Sequence, residues 1–198
     1  TLSTSSFKLD FSNQFNSLKV GSGLNLLLKS NLNNVNTYLI PNSVENNYGF
    51  YSNIDFDKEN IGINLGLRLD YNNIKCLDYN FDKSFSNFST ASGFYYKYND
   101  HVIRFTYSMS YRSPHLSELF SNGVHHGTNR FEVGLSSLDN EKSNQIDFKY
   151  QWSSEHLGLV LNPFFQKIKN FISINSTDSL HNGVYRIFPI ISKTFCRV

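Results

Sequence analysis

Apolar and polar residues alternate one by one along most of this chain. The clearest run is residues 61–71, in which one parity is apolar and the other is polar or glycine: Ile61, Ile63, Leu65, Leu67, Leu69 and Tyr71 against Gly62, Asn64, Gly66, Arg68 and Asp70. Residues 103–111 and 146–152 repeat the alternation. A period of two gives a β-strand two different faces, whereas a helix would repeat every 3.6 residues. The sequence therefore predicts an all-β chain of about nine strands.

The connections between these strands differ in length in a regular way. Short polar turns are expected at 57–60, 99–100 and 153–155, and longer loops at 31–45, 72–86 and 113–142. Outer-membrane barrels have short periplasmic turns and long extracellular loops. The pattern predicts an antiparallel transmembrane β-barrel segment.

The charges in mid-strand favour the same interpretation. They lie on the polar faces, while the opposite faces carry hardly any charge: Arg68, Asp70, Arg104, Asp147 and Lys149. Lipid against one face and a watery interior against the other would explain both faces at once. A soluble antiparallel sheet with one wetted face shows the same alternation, so it stays open as an alternative.

Composition excludes several other classes. The net charge is +2, and no basic run alternates with aromatic residues, so nucleic acid is not an expected partner. No apolar run reaches the length of a membrane helix, and no signal peptide is recognisable at Thr1. Cys76 and Cys196 lie far apart, which favours two unpaired thiols over a disulfide or a zinc site.

Catalytic motifs are not found in the sequence. It contains no Gly-x-Ser-x-Gly elbow, no His-Glu-x-x-His and no glycine-rich phosphate loop. We therefore expect that the protein is not an enzyme and that it carries no cofactor.

The segment between the two central strands resembles the TonB-dependent outer-membrane receptors. The matching residues are Tyr111-Arg112-Ser113-Pro114, Leu116, Glu118-Leu119-Phe120, Asn122-Gly123-Val124-His125, Thr128, Phe131-Glu132-Val133-Gly134, Leu138 and Glu141-Lys142-Ser143. Residues 162–172 and 40–49 are similar to other strands of these receptors, so the resemblance covers about residues 38–175. The family's usual Asn-Pro before the second box is replaced here by Leu135-Ser136-Ser137.

The resemblance implies an incomplete barrel, corresponding to a portion of the C-terminal half. Receptors of this family have barrels of about 22 strands and a plug domain before them. We expect residues 1–190 to form the partial barrel and 191–198 to be an atypical tail that is not barrel-like, with the plug domain and the barrel end absent.

Two groups of residues are candidates for function. The first group would hold the long loop to the barrel wall: Tyr111, Arg112, Pro114, Glu118 and Glu141. Pro114 cannot donate to a strand ladder, so it would end the strand where the loop leaves the sheet. Arg112 and Glu118 could tie the loop base to the barrel wall, and Glu141 could do the same at the loop exit, because paired charges inside a lumen commonly hold a loop. The second group would contact ligand on that extracellular loop: His125, His126, Arg130 and Glu132. A neutral imidazole can ligate haem iron, zinc or copper, but the sequence defines no metal site.

The implied function is import of an iron complex of the siderophore type across the outer membrane of a Gram-negative bacterium. The expected partners are outer-membrane lipid, the TonB complex through an N-terminal part that this chain lacks, and a small iron-chelate or haem ligand. Haem or another metal complex is the alternative cargo. A small outer-membrane adhesion barrel and a soluble β-sandwich are the alternatives from other classes.

Overall fold

The computed structural model describes residues 1–34, 39–125, 127–128, 130–183 and 185–198. Within them, thirteen strands and one short helix follow in the order β1 (Leu2–Phe15), β2 (Leu18–Asn31), β3 (Ser43–Lys58), β4 (Ile61–Cys76), β5 (Phe81–Tyr98), β6 (His101–Arg112), α1 (Leu116–Phe120), β7 (Asn122–His125), β8 (Arg130–Val133), β9 (Glu141–Ser153), β10 (Gly158–Leu161), β11 (Phe164–Ile174), β12 (Leu180–His181) and β13 (Tyr185–Arg197). No helix in the described part is long and apolar enough to cross a membrane.

Nine long strands make one continuous antiparallel path. Neighbours along it are β1-β2-β3-β4-β5-β6-β9-β11-β13, and the path does not close on itself. The prediction of about nine antiparallel strands in an incomplete barrel is therefore confirmed. At the far end, β8 joins β13 by the parallel pairs Phe131–Ile187, Glu132–Phe188 and Val133–Pro189, and β7 pairs with β8.

Three two-residue turns connect neighbouring strands at one end of the sheet, which we call the turn end. They lie between β1 and β2, β3 and β4, and β5 and β6, and their first residues Asn16, Glu59 and Asn99 have φ near +50° (50°, 51° and 47°). Two-residue hairpins favour turns with positive φ because their twist matches that of the strands. The short polar turns predicted at 57–60 and 99–100 lie at this turn end.

The connection expected at 72–86 is much shorter in the structure. β4 continues to Cys76 and β5 starts at Phe81, and Asn72 pairs with Phe85. Both faces are polar in parts of this hairpin, so the alternation that marks a half-buried strand is lost. Cross-strand hydrogen bonds replace it, including 3.0 Å from Asn73 Nδ2 to Ser84 Oγ.

The segment 191–198 also differs from the expectation. β13 runs to Arg197, so most of this segment belongs to the sheet and pairs with β11, as in Ile168–Phe195. A shift of register lies between Ile168 and Phe171. The extra residue of this bulge lies on β11. The sequence pattern did not show β13 because residues 190–197 place apolar and polar side chains on both parities.

β10 and β11 behave as one strand with an interruption. Both pair with β9, through Leu161–Tyr150 on one side of the break and Phe164–Asp147 on the other. Pro163 stands at the break because it has no N–H to donate, while its carbonyl accepts from Phe148 N at 3.1 Å. Beyond the break the strand continues to Ile174.

The buried core is small and lies at the opposite end of the strands from the tight turns. It combines the strand residues Ile74, Phe85, Ile172 and Ile190 with Leu116, Leu119 and Leu138 from the segment between β6 and β9. Elsewhere the apolar strand faces stay open, and Leu67 and Leu69 are 52% and 53% exposed. An apolar face of this size needs a non-aqueous partner.

Candidate functional site

The long connection between β6 and β9 folds back onto the sheet. It begins at Pro114, which is fully buried, and continues into α1, whose first turn carries Glu118. Glu118 accepts a hydrogen bond from the backbone N–H of His115 at 2.7 Å, so it satisfies one of the free donors at the start of the helix. The helix is thereby held directly after the last residues of β6.

Arg112 joins the two ends of this connection. Its Nε donates to Glu141 Oε2 at 2.7 Å, and its Nη1 and Nη2 donate to the two oxygens of Glu118 at 2.9 and 3.1 Å. The planar guanidinium suits such forked bonding to carboxylates. The other oxygen of Glu141 accepts from Ile172 N at 2.6 Å, so β6, α1, β9 and β11 meet at one cluster of charges.

Tyr111 completes the group at the base of the loop. It pairs with Lys142 across β6 and β9, and Lys142 Nζ lies 5.3 Å from the centre of its ring. The structure thus brings Tyr111, Arg112, Pro114, Glu118 and Glu141 together at the loop base. Their role in holding the loop stays a prediction, although each of the contacts it requires is present.

Apolar packing places the loop on the polar side of the sheet. Ile74 and Phe85 share their faces with the polar residues Asp70 and Asn87, and both belong to the same core cluster as Ile172 and Ile190. Strands β4 and β13 are five steps apart in the sheet, or roughly 24 Å along a flat one. A helix of five residues can help join them because the sheet curves around it.

Residues of β5 that the sequence did not single out also fasten the loop. Lys83 Nζ donates to Leu138 O at 2.7 Å and lies 3.2 Å from Asp139 Oδ1. Asn87 donates to Ser113 Oγ at 3.1 Å and accepts from Asn140 Nδ2. Lysine and asparagine at these positions look like ordinary polar strand residues, so no local signal could have identified them.

The hairpin of β7 and β8 carries three of the predicted ligand-binding residues. His125 pairs with Arg130 in the register, and Arg130 Nε donates to Glu132 Oε1 at 2.8 Å. Glu132 is only 6% exposed, and the Arg130 guanidinium lies 5.4 Å from the Phe188 ring. Arg130 and Glu132 therefore bind each other in this structure. His126 lies outside the described residues.

His125 is the imidazole of this group that the structure describes. It is half-buried, and its Nδ1 lies 3.0 Å from Thr128 Oγ1. Histidines that bind metals commonly use one ring nitrogen for the metal and the other for such an orienting hydrogen bond. Among the described residues no group of three or more His, Cys, Asp or Glu side chains could hold a metal ion.

The fold and its anchored loop can now be compared with known proteins. Residues 2–194 match the family described as TonB dependent receptor-like, beta-barrel. The chain belongs to this family. The resemblance in the motifs of residues 111–143 is confirmed by this match.

Solved structures of TonB-dependent receptors have the same fold. The copper transporter OprC superposes with a TM-score of 0.78 at 16% identity, covering 98% of this chain and 33% of OprC. The Serratia marcescens hemophore receptor HasR, solved as a double mutant with its hemophore HasA and heme, gives 0.71 at 13% identity, covering 98% and 37%. The FrpB iron transporter of Neisseria meningitidis gives 0.69 at 14% identity, covering 96% and 31%. The chain spans about a third of the length of these receptors.

Proposed function

We propose that this chain is the part of an outer-membrane receptor that presents an anchored extracellular loop to a metal complex, and that the whole receptor imports the complex with TonB-coupled energy. The supporting observation is the loop base. Arg112 binds Glu118 and Glu141 at once, and an apolar cluster holds the same segment against the polar side of the curved sheet. A loop fixed at both ends can present the β7–β8 hairpin above the barrel interior.

An iron complex of the siderophore type is the proposed cargo. Its support is indirect: proteins with this fold include the FrpB iron transporter and the siderophore receptor PirA from Pseudomonas aeruginosa. We also propose the localisation that the family implies, the outer membrane of a Gram-negative bacterium, and contact with TonB through a part outside this chain. The apolar strand faces supply the surface that lipid would cover.

Haem is the second candidate, and His125 is the observation that favours it. Its Nδ1 lies beside Thr128 Oγ1, which leaves Nε2 as the nitrogen for haem iron. The residue lies between the motif at 111–114 and the exit of the loop at 141–143, on the hairpin furthest from the tight turns.

Growth on defined iron sources separates these candidates. A receptor of the family whose matching barrel portion is replaced by this chain would be expressed in a strain without its own iron receptors. We expect growth on a ferric siderophore. If haem is the cargo, growth on haem as sole iron source should be lost in His125→Ala and kept in His156→Ala.

The control and the opposite outcomes are well defined. His156 is exposed in the turn between β9 and β10, at the end of the strands that carries the tight turns and away from the loop with His125. Growth on haem that is unchanged in His125→Ala would remove His125 from ligand binding. A chimera that reaches the outer membrane but binds host or matrix proteins and supports growth on no metal complex would favour the adhesion barrel instead.

A further inference from the structure

Three cations lie close together on the polar face, near the turn end of the strands. Arg104 of β6 pairs with Tyr95 of β5 on one side and with Lys149 of β9 on the other. Lys97 Nζ and the Arg104 guanidinium lie 4.7 and 5.5 Å from the centre of the Tyr95 ring. We call Lys97, Arg104 and Lys149 the basic cluster.

The cluster faces the same side as the folded loop. Tyr95 lies across Gly62, where an added Cβ would stand 1.9 Å from its Cε1, and this stacking keeps the ring flat against the wall. The alternate residues Phe94, Phe105 and Phe148 point to the apolar face, where they are 40–46% exposed. The three cations therefore meet the interior of the curved sheet rather than lipid.

Three cations on the β1–β4 part of this face have carboxylate partners. Lys8 binds Asp10 at 3.1 Å, Lys29 binds Glu45 at 3.2 Å, and Arg68 binds Asp70 at 2.6 Å. In contrast, over the stretches that the structure describes, no member of the basic cluster forms an ion pair. These three ion pairs neutralise their own parts of the wall, whereas the basic cluster has no such carboxylate partner among the described residues.

Asp147 is the acidic residue nearest along β9, and it is engaged elsewhere. It lies two positions from Lys149 on the same face, but both of its oxygens accept from Gln145 Nε2, at 2.9 and 3.0 Å. The local balance is three cations against one carboxylate, a net charge of +2. Like charges directly opposite each other across two strands are destabilising, so the Arg104–Lys149 pair costs free energy unless an anion lies between them.

We propose that the basic cluster is a binding site for the carboxylate groups of a small anionic solute inside the barrel. A guanidinium offers a fork of donors to a carboxylate, and the two ammonium groups add mobile point charges around it. Tyr95 gives the site a flat floor, and Lys97 and Arg104 lie 4.7 and 5.5 Å from the centre of its ring. The site is separate from the loop with His125 and does not depend on which metal complex the receptor takes.

Thermal unfolding of the chain in zwitterionic detergent tests the site, with citrate as the probe and sodium chloride at equal ionic strength as the reference. The single tryptophan, Trp152, lies at the end of β9 and reports the transition. In the unmodified chain, citrate should raise Tm saturably, by about 3 °C at ten times its Kd. Lys149→Glu should have a higher Tm without citrate, because it turns a repulsive pair into an attractive one, and should lose the saturable response.

Two further variants make the result unambiguous. Lys149→Gln removes the repulsion without adding a carboxylate, so it should lose most of the response even if Lys149→Glu fails to fold. Lys58→Glu makes the same charge change beside the β3–β4 turn, at an exposed residue, and should respond to citrate as the unmodified chain does. The proposal is overturned if Lys149→Gln keeps the full citrate response, or if Lys58→Glu loses it as well.

Discussion

Gly134 lies where the loop passes closest to α1. A Cβ at this position would stand 2.6 Å from Phe120 N and 2.7 Å from the carbonyl carbon and oxygen of Leu119. These are backbone atoms of a helix that is held by Arg112 and by buried leucines, so they cannot move aside easily. Gly134→Ala should therefore lower the free energy of unfolding by about 1–3 kcal/mol, measured by denaturant titration in detergent.

Gly66→Ala is the matched control for this substitution. The nearest atom to its added Cβ is Ala91 O at 4.0 Å, and it lies in mid-strand, where alanine is at least as favourable as glycine. We expect a change within about 0.5 kcal/mol. Equal losses from both substitutions would mean that the contact between Gly134 and α1 does not limit the packing of the loop.

Single residues also show which contacts could be predicted from the sequence and which could not. The sequence predicts that Arg112, Glu118 and Glu141 tie the loop to the barrel wall, and in the structure Arg112 forms ion pairs with both glutamates. It could not predict that Arg130 and Glu132 bind each other, since neighbours of one parity are equally suited to a ligand. Nor could it show that Gly134 is required for space rather than for a bend, because that depends on a distance across the fold.

The loop between β6 and β9 is the element most open to experiment. Arg112→Gln removes three hydrogen bonds and leaves Glu118 and Glu141 without their shared cation. Because the Arg112 side chain is 42% exposed, water compensates part of the loss, and we expect about 1–2 kcal/mol of destabilisation. Limited proteolysis should cut residues 113–140 faster than in the unmodified chain.

Lys8→Gln is the control for a surface ion pair. Lys8 and Asp10 are 61% and 55% exposed, so breaking their pair should change stability by less than about 0.5 kcal/mol and leave proteolysis of the loop unchanged. If Arg112→Gln were cleaved no faster than Lys8→Gln, the apolar cluster alone would be sufficient to hold the loop.

Strands could be predicted where their two faces meet different surroundings. Residues 61–71 alternate cleanly because one face is apolar throughout and the other is polar. The same strand continues to Cys76, but beyond Tyr71 its neighbours are asparagines on both faces, and the pattern vanishes. Residues 191–197 were missed for a related reason: Ile190 and Ile191 are adjacent, and Lys193 and Arg197 share a parity with apolar residues, so neither face is uniformly apolar.

For the whole molecule, the unclosed sheet explains why so few apolar residues are buried. The core cluster lies at the end of the strands away from the tight turns, and the large side chains on the apolar face are mostly 40–60% exposed. In a soluble protein an apolar surface of this extent would drive aggregation. In the outer-membrane location proposed here, lipid would cover this face, and the arrangement of residues would require no further core.

Adjacent residues of β6 allow a direct test of this assignment. Phe105 lies on the apolar face, opposite Phe148, and Thr106 lies on the polar face, opposite Asp147. In a barrel completed by the matching strands of a relative and folded into lipid vesicles, Phe105→Arg should lose about 2–4 kcal/mol, because it places a charge in the hydrocarbon. Thr106→Arg should change stability little, since the new cation meets water and the Asp147 carboxylate. The unfolding of both variants can be followed by urea titration. Similar losses in both, or a completed barrel that stays folded and monomeric in plain buffer, would contradict lipid against the apolar face and with it the receptor function proposed here.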